Sequence, residues 1–289
     1  MGSGFNGNST NNSFGALRNS YVGLAGDFGT FFMGRHDTPL KMSTAKLDFF
    51  MDTMADNDDE GAFRPNPAIN PTRLSTRGVG LFDGKRVGGV IALVSPKYFG
   101  FTMATALVQG NASDTFAKAD NFSGASSTSL TYHEDNEPFY GSIAYESIDA
   151  RSLPSSAVGT TSIASNEVYN KWRFGVGILN FNNVSLSFIY EHGDETAFLT
   201  GADTSAWQLS GAYDLMPGIR VKGMYGEFDG DGTVGIAGFN TWALGLEYSL
   251  SNRTDIQVLY RAKDVNNTTK VGGLNLDDNV FAIQLDHSF

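Results

Sequence analysis

Asn279-Val280-Phe281-Ala282-Ile283-Gln284-Leu285-Asp286-His287-Ser288-Phe289 closes the chain with a strict alternation. Odd positions from 281 read Phe, Ile, Leu, His, Phe, and even positions from 282 read Ala, Gln, Asp, Ser. Successive side chains of a strand point to opposite faces, so this strand has one greasy face and one polar or small face. Its last residue is a bulky aromatic at a terminus, and termini fray unless they are docked. That implies an end held against an apolar medium. The last strand of a soluble sheet alternates in the same way, so the choice rests on the remainder of the chain.

Working back from this strand, the same period of two recurs. Trp242, Leu244, Leu246, Tyr248 and Leu250 oppose Thr241, Ala243, Gly245, Glu247 and Ser249. Trp207, Leu209, Gly211 and Tyr213 oppose Gln208, Ser210, Ala212 and Asp214. Alternation and turn residues predict thirteen strands: 20–26, 30–35, 86–95, 101–109, 127–132, 139–149, 172–179, 184–192, 205–213, 219–228, 240–249, 255–263 and 279–289. The connections alternate as well. Short ones, such as Asp27-Phe28-Gly29 and Asn180-Phe181-Asn182-Asn183, separate the long polar stretches 36–85, 110–126, 150–171, 193–204, 229–239 and 264–278. Short turns on one rim and long loops on the other are the arrangement of an outer-membrane barrel. A β-sandwich with Greek-key connections has no reason for it. Tyr98, Phe99, Trp172, Tyr190, Tyr213, Tyr225, Trp242 and Tyr248 fall at or near strand ends, where rings settle at a bilayer interface.

Composition is compatible with this architecture. The 289 residues include 34 Gly and 22 Phe, with 12% aromatic residues overall. Mean hydropathy is −0.19, and no run of apolar residues is long enough for a transmembrane helix. Membrane strands alternate lipid-facing and lumen-facing residues, so a barrel averages to neutral hydropathy. The absence of Cys removes disulfides, thiolate metal sites and Cys nucleophiles together. A net charge of −11 argues against nucleic acid as a partner. Met1-Gly2-Ser3-Gly4 begins no signal peptide.

Strand parity adds an expectation about completeness. If the short turns are periplasmic, strand 20–26 descends from the loop side and residues 1–19 lie in an external loop. Bacterial barrels have even strand numbers, and three further strands before Met1 would bring the total to sixteen. The chain is therefore expected to be a single barrel domain over 1–289 that lacks its signal peptide and first strands.

Arg18-Asn19-Ser20-Tyr21-Val22-Gly23-Leu24-Ala25-Gly26-Asp27-Phe28-Gly29, followed by Met33-Gly34-Arg35-His36-Asp37-Thr38-Pro39, resembles the general diffusion porins of Gram-negative outer membranes. Arg86-Val87-Gly88-Gly89-Val90, the Ser95-Pro96 turn and the terminal Phe289 are similar to that family too. The resemblance implies an all-β, antiparallel, sixteen-stranded transmembrane barrel, trimeric and without cofactor, that passes small hydrophilic solutes and ions passively. It implies a bacterial outer-membrane location, contact with lipid and lipopolysaccharide, and delivery by the barrel assembly machinery, with Phe289 as the assembly signal.

In that family the loop after the fifth strand folds inward and narrows the pore. Segment 36–85, the longest connection, follows what would be the fifth strand. It carries Asp48, Asp52, Asp56, Asp58, Asp59 and Glu60 among apolar Leu47, Phe49, Phe50, Met51 and Met54. The expectation is a short helix or turn over 45–55 with its Phe and Met on the barrel wall and its carboxylates toward water. A solvated acidic surface loop is the plain reading of the residues alone. Opposite the loop the resemblance places a ladder of arginines: Arg18 and Arg86 by motif, with Arg35, Arg73, Arg77 and Lys85 as nearby candidates. Carboxylates facing guanidiniums across a narrow wet gap set up a transverse field that orients dipolar solutes. The loop lacks the Pro-Glu-Phe-Gly-Gly turn of enteric porins, which leaves its exact constriction residues and selectivity open.

No chemistry is written elsewhere. The four His are scattered, without metal-ligand spacing. Asp229-Gly230-Asp231-Gly232 lacks the later ligands of a calcium loop. No nucleophile elbow exists, so no enzyme, metal or cofactor is expected. The alternatives to a general porin are a substrate-selective porin for sugars or anions and a soluble all-β binding or adhesive domain.

Overall fold

A computed structural model describes residues 19–58, 81, 82, 84, 86–108, 124–149, 168–195, 201, 203–231, 238–265 and 277–287. Thirteen strands carry nearly all of them: β1 (Ser20–Gly26), β2 (Gly29–Asp37), β3 (Arg86–Val94), β4 (Phe101–Val108), β5 (Ala125–His133), β6 (Phe139–Asp149), β7 (Val168–Phe181), β8 (Val184–Asp194), β9 (Thr204–Met216), β10 (Ile219–Asp229), β11 (Phe239–Ser251), β12 (Thr254–Val265) and β13 (Asp278–His287). They form one antiparallel sheet whose spatial order is the order of the chain.

Local chemistry sets the short connections. Between β7 and β8 Phe181 pairs with Val184, leaving Asn182 and Asn183 at φ 50° and 68° as a two-residue turn. Asn tolerates that left-handed backbone, and a turn of this hand matches the twist of the flanking strands. Every expected strand is present. The largest difference is β7, which begins at Val168 rather than at 172. Lys171 reads as a loop residue in the sequence, but it joins Arg173 on the inward face of the strand, and both are buried there.

The faces divide by parity. Trp172, Phe174 and Val176 of β7, Leu186 and Phe188 of β8, Leu244 and Leu246 of β11, and Phe281, Ile283 and Leu285 of β13 all stand exposed on the outer face. So large a continuous apolar surface is out of place on a soluble monomer and suits lipid. Near the long-loop rim the outer rings touch pairwise: Tyr145 with Trp172 at 4.5 Å, Trp207 with Tyr225 at 5.5 Å and Trp242 with Tyr260 at 5.4 Å between centroids. That is the placement of an interfacial aromatic girdle.

The inner face is small, polar or charged, with Ala144, Glu146, Arg173, Ser187, Gln208, Ser210, Ala243 and Arg261 all buried. One segment, 38–58, touches β5, β7, β8 and β13, so the sheet curls around it. The curl does not close. Among the described residues β1 pairs with β2 and β13 with β12, and no ladder joins β1 to β13. No described helix is long and apolar enough to cross a membrane.

Candidate functional site

Past β2 the chain turns inward. Thr38 caps a one-turn helix, α1 (Pro39–Met42), by accepting a hydrogen bond from the Lys41 amide at 3.5 Å. Pro39 in the first turn is pre-set for that geometry. The Leu40 amide donates to Ser127 Oγ at 3.0 Å, and the Tyr140 hydroxyl donates to the Ser43 carbonyl at 2.8 Å. These bonds pin the start of the segment to β5 and β6.

A 3-10 turn over Ala45–Leu47 then presents Leu47 to β7. Gly175 and Gly177 face it. A Cβ built on either would come within 2.5 or 2.6 Å of a Leu47 methyl, closer than packing permits. The glycines form a socket for Leu47, and Ser187 Oγ closes the contact by donating to the Leu47 carbonyl at 2.7 Å. Phe50 sits in a second socket at Gly245, where a Cβ would lie 2.9 Å from its ring, and Lys222 Nζ lies 5.1 Å from the ring centroid. Leu81 fills a third at Gly226. Leu47, Phe50, Leu81 and Phe82 are fully buried.

The acidic run folds on itself. Asp48 accepts from the Phe50 amide at 2.9 Å and the Asn57 amide at 3.2 Å. Asp56 accepts from the Asp52 amide at 2.8 Å and the Asp58 amide at 3.0 Å. Such side-chain-to-backbone bonds replace a helix with a tight knot, and the left-handed Asp52, at φ 62°, forms its tip. The expected helix over 45–55 is therefore only the 3-10 turn, followed by this knot. Nor do all the carboxylates point to water, since Asp48 is buried. Burial, with the charge of Asp58 nearby, pushes the Asp48 carboxyl up to about 6. Burial and the neighbouring Asp48 and Asp58 raise Asp56 well above the usual range.

Beyond the knot, Arg173 ties the segment to the wall. Its guanidinium bonds Glu191 on β8 at 2.7 and 2.8 Å, Asp58 at 3.2 Å and Thr44 Oγ1 at 3.2 Å, and lies 5.1 Å from the Phe82 ring. A second tie reaches the tip. Gln284 on β13 donates to the Asp52 carbonyl at 3.0 Å and to Asp286 at 2.8 Å. Asp286 accepts from Gln257, which in turn accepts from Lys222.

Between the knot and β2–β3 lies an open cavity of about 440 Å³. Asp48, Asp52, Asp56 and Asp58 line one side, with Asn19, Asp37, Lys41 and Arg86 on the other. Arg86 reaches Asp37 at 3.0 Å and Asn19 at 3.0 Å, and Lys41 reaches Asp37 at 3.5 Å.

Of the residues singled out in the sequence, Asp48, Asp52, Asp56, Asp58 and Arg86 thus meet around one cavity. Arg35 does not join them: it pairs with Ser20 and falls on the face opposite Phe32, Gly34 and His36. Arg18, Asp59, Glu60, Arg73, Arg77, Lys85 and Phe289 lie outside the described residues. Sequence reasoning missed Arg173, Lys171 and Lys222. The signal for Lys171 and Arg173 was present in the odd-position series Tyr169, Lys171, Arg173, Gly175, Gly177, where charges and glycines share one face of a strand.

A family model for Gram-negative porins matches residues 1–268. No curated protein matches the chain. Among solved structures, the anion-selective porin from Comamonas acidovorans superposes with a TM-score of 0.66 at 18% identity, covering 96% of this chain and 79% of that one. Salmonella typhi OmpF, in complex with daunomycin, gives 0.65 at 16% identity, with 93% and 77% covered. The outer-membrane channel DcaP of Acinetobacter baumannii gives 0.60 at 14% identity, with 98% and 78% covered. At these identities the likeness is one of fold.

Proposed function

The chain belongs to the Gram-negative porin family, and from that premise we propose that segment 36–85 is the constriction of its pore. The protein is a channel of the bacterial outer membrane through which small hydrophilic solutes and ions diffuse passively. In the proposed arrangement Asp48, Asp52, Asp56 and Asp58 form the acidic side of the narrowing, and Arg86 with Lys41 forms the basic side. Arg18 and Arg77 are proposed to add to that basic wall, and Asp59 and Glu60 to the acidic loop. Phe289 is proposed as the assembly signal read by the barrel assembly machinery. The functional unit is proposed to be a homotrimer of single-domain barrels in contact with lipid and lipopolysaccharide.

The observation that supports this reading best is the seat of the segment. Two inward glycine sockets, for Leu47 and Phe50, and a buried guanidinium hold 38–58 against the inner wall, and the cavity left beside it is lined by charged side chains. A wet, charged gap favours dipolar solutes and disfavours apolar ones. Pore width and field do the physical work. Single-channel conductance of natively assembled protein is expected to rise in proportion to bulk salt conductivity. Saturation by one sugar or anion would replace the general reading with a substrate-selective one.

A further inference from the structure

The apolar side chains of the inward segment divide between two faces. Leu40, Leu47 and Phe50 are fully buried. Met42, at the end of α1, is 40% exposed, and Met51, next to the tip, is 51% exposed. Both line the open cavity. The other methionines are placed differently. Of the 8 in the chain, Met1 lies outside the described residues. Met224 is buried, and Met54 packs against the core under the loop. Met33 on β2 and Met103 on β4 are as exposed as the loop pair, at 44% and 50%, but on the outer face that suits lipid. Met216 is exposed too, at the end of β9 beside a short turn and away from the cavity. Among the described residues, the thioethers presented to the water of the gap are therefore those of Met42 and Met51.

We propose that Met42 and Met51 form an oxidant-modifiable site on the constriction, and that sulfoxide formation there lowers the flow through the pore. The inference rests on the reading that this cavity lies on the solute path. The co-reactant is a small hydrophilic peroxide, hydrogen peroxide being the simplest, and a channel for small hydrophilic solutes brings it to the loop. A sulfur lone pair attacks one peroxide oxygen. The S–O bond forms as the O–O bond breaks, so the sulfur is oxidised by two electrons and the peroxide is reduced. The departing hydroxide takes the proton of the new S–OH group and leaves as water. A thioether is apolar and flexible, whereas its sulfoxide is polar and larger by one oxygen. In a narrow gap that oxygen takes up space and holds water beside it, so each conversion reduces the route left to solutes. Thioethers on the outer face escape, because a polar oxidant partitions poorly into hydrocarbon.

The test treats natively assembled channels in bilayers with dilute hydrogen peroxide and follows both chemistry and flow. Peptide mass spectrometry is expected to find oxygen gained at Met42 and Met51 well before Met33, Met103, Met54 or Met224. Single-channel conductance, read as the ratio after peroxide to before, is expected to fall in steps. Leu matches Met in volume and has no sulfur to oxidise. In Met42→Leu/Met51→Leu the ratio should therefore stay at one while Met216 still gains oxygen. Oxidation of Met33 or Met103 as fast as the loop pair would overturn the proposal. So would a ratio of one in the parent with both loop methionines converted, or an equal fall in the double variant. Met51→Trp separates those failures from failure of the pore reading. A lowered conductance in it keeps the cavity on the solute path; an unchanged one takes the cavity off that path, and the proposal falls with the reading.

Discussion

At the residue scale Arg173 has the largest expected effect. Arg173→Met would leave Glu191 and Asp58 facing each other in a buried place without their cation, a loss of about 3–5 kcal/mol for such a pair. The expected outcome is a loop released from β7, seen as larger and noisier single-channel conductance, with a smaller change in Arg173→Lys. The knot makes a prediction of opposite sign to the usual carboxylate case. Asp48 is raised to about 6 by burial, so its folded form holds the proton more tightly than the unfolded chain does. The stabilisation is therefore fully present below the ordinary Asp value of 3.8 and is lost as pH rises through about 6. Asp56 shifts the same way. Hydrogen exchange of the loop amides, corrected for intrinsic rate, should show stronger protection at the acidic end of that window. Equal protection throughout would refute the raised carboxyls. The acidic run itself was legible in the sequence. The knot was not, because hydrogen bonds from the Phe50, Asn57, Asp52 and Asp58 amides decide where the carboxylates point.

At the element scale the loop and the wall are matched shapes. Gly175 and Gly177 leave the space that Leu47 fills, so Gly175→Val or Gly177→Val is expected to cost about 1–3 kcal/mol by overpacking and to displace the loop. Gly141 is the control: a Cβ there meets nothing within 4 Å, and Gly141→Ala should behave as the parent in thermal unfolding and conductance. The strands were the most legible part of the fold. Alternation located all thirteen, because a wall between lipid and water imposes opposite chemistry on its two faces. The start of β7 was lost because its inward residues are charged. A lysine four residues ahead of Gly175 looks like loop until its ion-pair partner, Glu146, is known. The sockets were equally hidden, since a glycine in a strand signals close approach without saying of what.

At the scale of the whole molecule, the sheet's outward face is a membrane surface and its inward face is a wall under a loop. The two edge strands, β1 and β13, each have a ladder on one side within the described residues. Unpaired backbone in hydrocarbon costs several kcal/mol per group. Purified 1–289 is therefore expected not to give reproducible channels or a heat-modifiable, SDS-resistant species unless further strands pair with those edges. Stable pores from 1–289 alone would contradict that. The central claim is that the loop lies in its sockets across the inside of a working porin, and the absence of Cys makes it directly testable. In the natively assembled channel carrying both Leu47→Cys and Gly175→Cys, the lost Leu47 methyls make room for the new side chain, and the sulfurs face each other. Mild oxidation should close a disulfide in high yield with single-channel conductance unchanged; two thiols that stay reactive, or a bond that forms only with a change in conductance, would contradict the account.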